Sequence, residues 1–207
     1  MVRKKTLDNK GSALVTVMVV VTFVTILATL LLFVATTNYQ MKQVDYGNKK
    51  NFYAGEEVLD RLKAALIAQV AAAYSEAYDT TIVEYAKYSN PDGFSPAERI
   101  AVYNREFVCE FRELFAERAG AENDRLKALR SLLPEEYADA VVGVEDIAYV
   151  ENAGYIYLTG VRVSYTDDKN YTTQIVTDIY VEAPSYTGEE VLVTKMNSVT
   201  FVNWEKQ

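Results

Sequence analysis

Residues 12–36 read SALVTVMVVVTFVTILATLLLFVAT, 25 positions without a charge, a proline or a glycine. As an α-helix they extend about 37 Å, more than the roughly 30 Å of a bilayer's hydrocarbon core. A secretory signal carries an apolar stretch of only about 7–15 residues and then a small-residue cleavage site. This run is too long for that and reads as a membrane-spanning helix. Val and Thr are middling helix formers in water. In lipid that matters little, because a lone segment can satisfy its backbone there only as a helix.

Upstream, Met1–Gly11 reads MVRKKTLDNKG and sets Arg3, Lys4, Lys5 and Lys10 against Asp8, a local charge of +3. A basic segment before an apolar run stays in the cytoplasm. The expected topology is a single pass of the cytoplasmic membrane, N-terminus in and C-terminus out. The rest of the chain holds 17 basic and 28 acidic residues, a charge of −11. That excess argues against nucleic acid as a direct ligand.

Downstream, no proline occurs before Pro91. Val44, Phe52, Leu59, Leu62, Leu66, Val70 and Tyr74 recur mostly at helical spacing, with Glu56, Asp60, Arg61 and Lys63 largely on the other face. The pattern predicts one nearly continuous helix from Ser12 to Tyr78, apolar all round over 12–36 and amphipathic over 37–78. Gly47 and Gly55, each costing about 1 kcal/mol in a helix, mark candidate bends.

Residues 79–207 read as an exported globular domain, helical over 95–143 and a sheet over 145–203. Asn90-Pro-Asp-Gly93 signals a turn. Ser95-Pro-Ala-Glu98 has the marks of a capped helix start. Behind it Ile100, Tyr103, Phe107, Phe111, Leu114 and Phe115 form an apolar stripe, with Gly120 as the expected stop. A second short helix should turn Leu126, Leu129 and Leu133 inward. Pro134–Val142 reads as a further turn or two of helix, ending at Gly143. The period then becomes two, giving strands at Glu145–Val150, Tyr155–Tyr165, Tyr171–Glu182 and Val191–Asn203. In the third, Tyr171, Thr173, Ile175, Thr177, Ile179 and Val181 share a face, and Gln174, Asp178 and Glu182 take the other. Short connections at Asn152–Gly154 and Asp167–Asn170 imply an antiparallel meander, packed by one face on the amphipathic helix. The fold class is α+β.

The residue inventory points away from catalysis. Without histidine there is no Ser-His-Asp triad, Cys-His dyad or imidazole metal site, and a single cysteine excludes an intrachain disulfide. No glycine-rich phosphate loop occurs. Cys109 lies in FVCEF without a neighbouring base, which favours a buried structural thiol over a nucleophile. Asp167, Asp168 and Asn170 suit a hairpin turn, with oxygen ligation of calcium as the competing reading. Glu56-Glu57 and Glu135-Glu136 are adjacent on helices and point apart, as a solvated face does and a facing acid pair does not. The 16 tyrosines, gathered in 74–103 and in the strands, fit either a pleated surface or a partner contact. No enzyme activity, metal or cofactor is expected.

The basic leader ending in Lys10-Gly11, the opening GSALVTVMVVVTFVTILATLLLFVA and the stretch NFYAGEEVLDRL (Asn51–Leu62) together resemble a type IV prepilin or pseudopilin, and most of all the PilX-type minor pilins. The likeness covers about residues 3–65. It implies a pilin-like fold, a leader over 1–11 and cleavage by a prepilin peptidase between Gly11 and Ser12. It further implies other pilins or pseudopilins, the membrane and an inner-membrane assembly platform as partners, with residence at the pilus or cell surface after assembly. Phe52, Tyr53 and Glu56 are candidate subunit contacts. One position departs from the family: major pilins carry a glutamate at the fifth mature residue, thought to pair with a neighbour's terminal amine, and here that residue is Thr16. The resemblance therefore implies a minor subunit, tip-located or priming, in a fibre that serves a pilus or a type II secretion-like machine. Some tip pseudopilins bind calcium, which keeps that reading of Asp167 and Asp168 open. The competing function is an uncleaved, single-pass anchored extracellular binding or sensory domain.

Overall fold

Periodicity of the apolar residues builds the first element in two ways along one helix. The computed structural model describes residues 9–87, 95–115, 122–168, 170–186 and 198–206, and in it α1 runs without interruption over Asn9–Ala86. The chain divides into two compact units, Met1–Gly47 and Asn48–Gln207. In the first, the large apolar side chains from Leu14 to Val34 are all exposed, from 44% at Leu27 to 71% at Leu31. This helix is long and apolar enough, by length and composition, to cross a membrane. Its threonines do not break the apolar character. The hydroxyls of Thr22, Thr25, Thr29 and Thr36 each donate to the carbonyl four residues back at 2.8–2.9 Å, so the span keeps its polar hydrogens to itself.

In the second unit the remainder of α1 buries one stripe: Val58, Leu59, Leu62, Leu66, Val70, Ala73, Tyr74 and Ala77. The stripe joins a single apolar core with Ile156, Leu158, Val161, Val163, Ile175, Ile179 and Val181 of the sheet. Gly55 is buried at the start of this seam. A Cβ there would lie 2.8 Å from Ile175 Cδ1. Its role is close approach between helix and sheet, and helical structure passes through it unbroken.

The helix also ends later than expected, at Ala86 and not Tyr78. Thr80, Thr81, Ile82 and Val83 are β-branched and weak helix formers, but tertiary contacts outweigh propensity. Thr81 is fully buried and its hydroxyl donates to Ala77 O at 2.6 Å. The Arg99 guanidinium lies 5.1 Å over the Tyr85 ring.

Helix α2 spans Pro96–Leu114 behind the capping box that the sequence predicts. Ser95 Oγ accepts from Glu98 N–H, and the Glu98 carboxylate accepts from Ser95 N–H at 2.7 Å. Tyr103, Phe107, Val108, Phe111 and Phe115 are buried, whereas Ile100 is exposed and Leu114 is only partly covered. Helix α3, Glu122–Ser131, turns Leu129 inward, and Leu133 follows it into the core. Helix α2 stops at Leu114, capped at Phe115, well before the expected stop at Gly120; Gly120 itself and the turn at 90–93 lie outside the described residues.

The described strands form one antiparallel sheet: β1 Val141–Gly143, β2 Asp146–Val150, β3 Tyr155–Thr166, β4 Thr172–Glu182 and β5 Val199–Lys206. Both β1 and β2 pair with β3, which pairs with β4, and β4 with β5. The β2–β3–β4 meander matches expectation. So do the faces of β4, where Thr173, Ile175, Thr177, Ile179 and Val181 are buried and alternate with half-exposed neighbours, but Tyr171 lies before the strand, in the turn, and is exposed. The stretch 134–143 differs. Helix α4 covers only Glu135–Ala138, and Val141–Gly143 is a strand, with Val141 opposite Val163. The β-branched pair Val141-Val142 fits a pleat better than a helix. The last strand runs to Lys206, three residues past the expected end, because Glu205 and Lys206 pair with Val176 and Ile175. Residues 191–197 of that expected strand lie outside the described ones.

Candidate functional site

The leader Met1–Asp8 lies outside the described residues. Gly11 and Ser12 are helical, near the N-terminal limit of the described part of α1. Thr16 follows about one turn later and is exposed, within a surface that is apolar apart from its threonines and runs to Val34.

The FYAGEE stretch is divided by its helical periodicity. Gly55, Val58 and Leu59 turn inward, and Tyr53 turns out, 65% exposed. Phe52 is half-buried and meets the Trp204 ring edge-on, with centroids 6.0 Å apart. Glu56 is also half-buried. Glu57 reaches Arg61 at 3.4 Å and accepts from the Tyr137 hydroxyl at 2.9 Å. Of the three candidate contact residues, Tyr53 is therefore the one most available at the surface, and Phe52 already serves the fold.

Two positions with structural consequences were not singled out from the sequence. Asn51 is fully buried, and its amide donates to Tyr171 O at 2.8 Å, holding the β3–β4 turn to α1. Its signal was a polar residue seven positions after Val44 on the apolar stripe. Asp178, expected only on the outer face, accepts from Gly160 N at 2.8 Å, Tyr157 Oη at 2.9 Å and Asn203 Nδ2 at 2.7 Å.

The remaining chemical candidates take structural places. Cys109 is half-buried on α2, less than the full burial expected. Burial and the nearby Glu106 carboxylate raise its pKa against the pull of Arg112, which keeps the thiol protonated. Asp167 forms the β3–β4 turn: its carboxylate accepts from Tyr171 N at 2.9 Å, its carbonyl accepts from Asn170 N at 3.0 Å, and Asn170 takes a left-handed φ of 62°. Among the described residues no three His, Cys, Asp or Glu side chains gather as a metal-holding group. Glu135 and Glu136 are exposed. Tyr74, Tyr78, Tyr103 and Tyr186 form a ring cluster with centroids 5.3–6.1 Å apart.

No family model, curated protein or solved structure matches this chain.

Proposed function

We propose that this chain is a minor type IV pilin or pseudopilin, a structural subunit of a pilus or type II secretion-like fibre. The observation that carries the reading is α1 itself. One uninterrupted helix, Asn9–Ala86, exposes its large apolar side chains from Leu14 to Val34 and buries an apolar stripe against an antiparallel sheet over its later turns. A span that offers only apolar side chains and internally bonded threonines has two suitable surroundings, lipid and other apolar helices. Moving from the first to the second is what a prepilin does on assembly. The chain is inserted N-in and C-out, a prepilin peptidase cuts between Gly11 and Ser12, and the apolar helix joins a bundle of pilin helices. Small residues such as Ala13 and Ala28 permit close approach there. Thr16 brings no carboxylate to that bundle. A buried carboxylate needs a partner charge, and a subunit without one has no such tie to its neighbour, which suits a tip-located or priming place. Tyr53 and Glu56 are the proposed subunit contacts, and the mechanism is packing without catalysis.

The test is the sheared-fibre fraction of cells that express the chain with its assembly machinery. Wild type should be recovered in that fraction and Gly11→Val should remain in the membrane. Fibres that form normally and never contain the wild-type chain would overturn the assembly role and favour the anchored binding or sensory domain.

A further inference from the structure

Lys10 and Lys42 flank the apolar part of α1, and no charged residue lies between them. At helical rise their Cα atoms are about 48 Å apart, close to the roughly 40–45 Å of a bilayer with its headgroups. Ile26 is midway. A hydrocarbon core of about 30 Å reaches about ten residues either side of it, from Thr16 to Thr36. Local chemistry changes at those same positions. Residues 17–35 are apolar except for Thr22, Thr25 and Thr29, whose hydroxyls are bonded within the helix. Beyond Thr36 the chain turns polar, as Thr37-Asn38-Tyr39-Gln40-Met41-Lys42.

Tyr39 is 63% exposed and its hydroxyl accepts from Gln43 Nε2 at 2.6 Å. It stands about 4–5 Å past Thr36 along the helix, at headgroup depth, where rings with a polar tip collect. Tyr46 is also exposed, but stands about 15 Å past Thr36, beyond the headgroup layer. We infer that α1 seats in a bilayer with its hydrocarbon segment between Thr16 and Thr36, and that Tyr39 is the interfacial anchor on the C-terminal side, lodged among lipid headgroups. The inference rests on the membrane-spanning part of the proposed function and adds the depth and the anchoring residue. It places Thr16 at the hydrocarbon edge. It places the Gly11–Ser12 bond about 7 Å outside that edge, where a membrane peptidase can reach it without pulling the span from lipid. Once cut, the new Ser12 amine replaces Lys10 as the flanking charge, about 45 Å from Lys42.

The experiment uses the full chain with Trp204→Phe, a change that keeps a ring against Phe52. Single tryptophans are introduced as Ile26→Trp, Tyr39→Trp or Tyr46→Trp, and each protein is reconstituted in phosphatidylcholine–phosphatidylglycerol vesicles. Lipids brominated near the chain ends should quench Ile26→Trp most. Lipids brominated near the glycerol should quench Tyr39→Trp most. Tyr46→Trp should lose its fluorescence to aqueous acrylamide and not to either lipid. If Ile26→Trp is quenched by lipid while Tyr39→Trp behaves like Tyr46→Trp, or is quenched best by the deep bromines, the proposed depth and anchor are overturned. If Ile26→Trp escapes both lipids, the spanning reading itself fails.

Discussion

Leu62→Ala should destabilise the Asn48–Gln207 unit by about 2–5 kcal/mol, whereas Leu30→Ala should change its stability by less than about 0.5 kcal/mol. The same atoms are removed from the same helix. Leu62 is fully buried in the seam between α1 and the sheet, while Leu30 is 55% exposed in the apolar span. Truncating Leu62 removes its transfer energy and leaves a hole among side chains that relax only in part. Truncating Leu30 leaves a groove that lipid or detergent fills. The chain's single tryptophan, Trp204, sits against Phe52 in the second unit and reports on that unit alone. Urea unfolding of the full chain in mild detergent, followed by Trp204 fluorescence, measures both effects as shifts in midpoint. Equal shifts for the two variants would contradict the division of labour along α1.

Asp178→Ala should cost on the order of 2–3 kcal/mol, because hydrogen bonds to a charged group contribute about 1.5–3 kcal/mol each and do not add fully. The carboxylate stands where two register slips meet. Between Leu158 and Val161 strand β3 carries an extra residue opposite Asp178, and Gly160 takes a φ of 61°. Between Val176 and Asp178 strand β5 carries an extra residue opposite the neighbouring Thr177, with Asn203 at a φ of 55°. A bulge leaves a backbone group unpaired in the ladder; Asp178 accepts the Gly160 N–H at the β3 bulge, the side-chain amide of Asn203 at the β5 bulge, and the Tyr157 hydroxyl. Partial burial pushes its pKa up, but the bonds from Asn203, Gly160 and Tyr157 outweigh burial and hold it below the ordinary aspartate value. A group whose folded pKa is depressed stabilises the fold above its unfolded pKa, and loses that contribution as pH falls through the folded one. The stability difference between wild type and Asp178→Asn should therefore be constant from neutral pH down to about 4 and shrink below it. A difference that is unchanged at pH 2–3 would show that the charge is not what joins the bulges.

Local signals in the sequence translated well into structure. The Ser95–Glu98 box needs only four consecutive residues to define it, and β4 has enough alternation over eleven residues to declare both faces. What escaped was set by distant contacts. Val141–Gly143 is too short to display a period, and becomes a strand because β3 lies beside it. Gly55 has the look of a bend until Ile175, 120 residues later, is packed on it. The last two turns of α1 are weak by propensity and persist because Thr81 is buried and Arg99 covers Tyr85. At the candidate site, the exposure of the apolar span followed from its composition. The inward side of Phe52 was legible from its place on the apolar stripe, but its partner was not, since Trp204 lies near the other end of the sequence.

N-terminal mass spectrometry of the full chain, expressed with and without a prepilin peptidase, tests the proposed function most directly. A mature chain that begins at Ser12 only when the peptidase is present, and that is abolished by Gly11→Val, is the predicted result. An intact leader under conditions where a control prepilin is cut would contradict it.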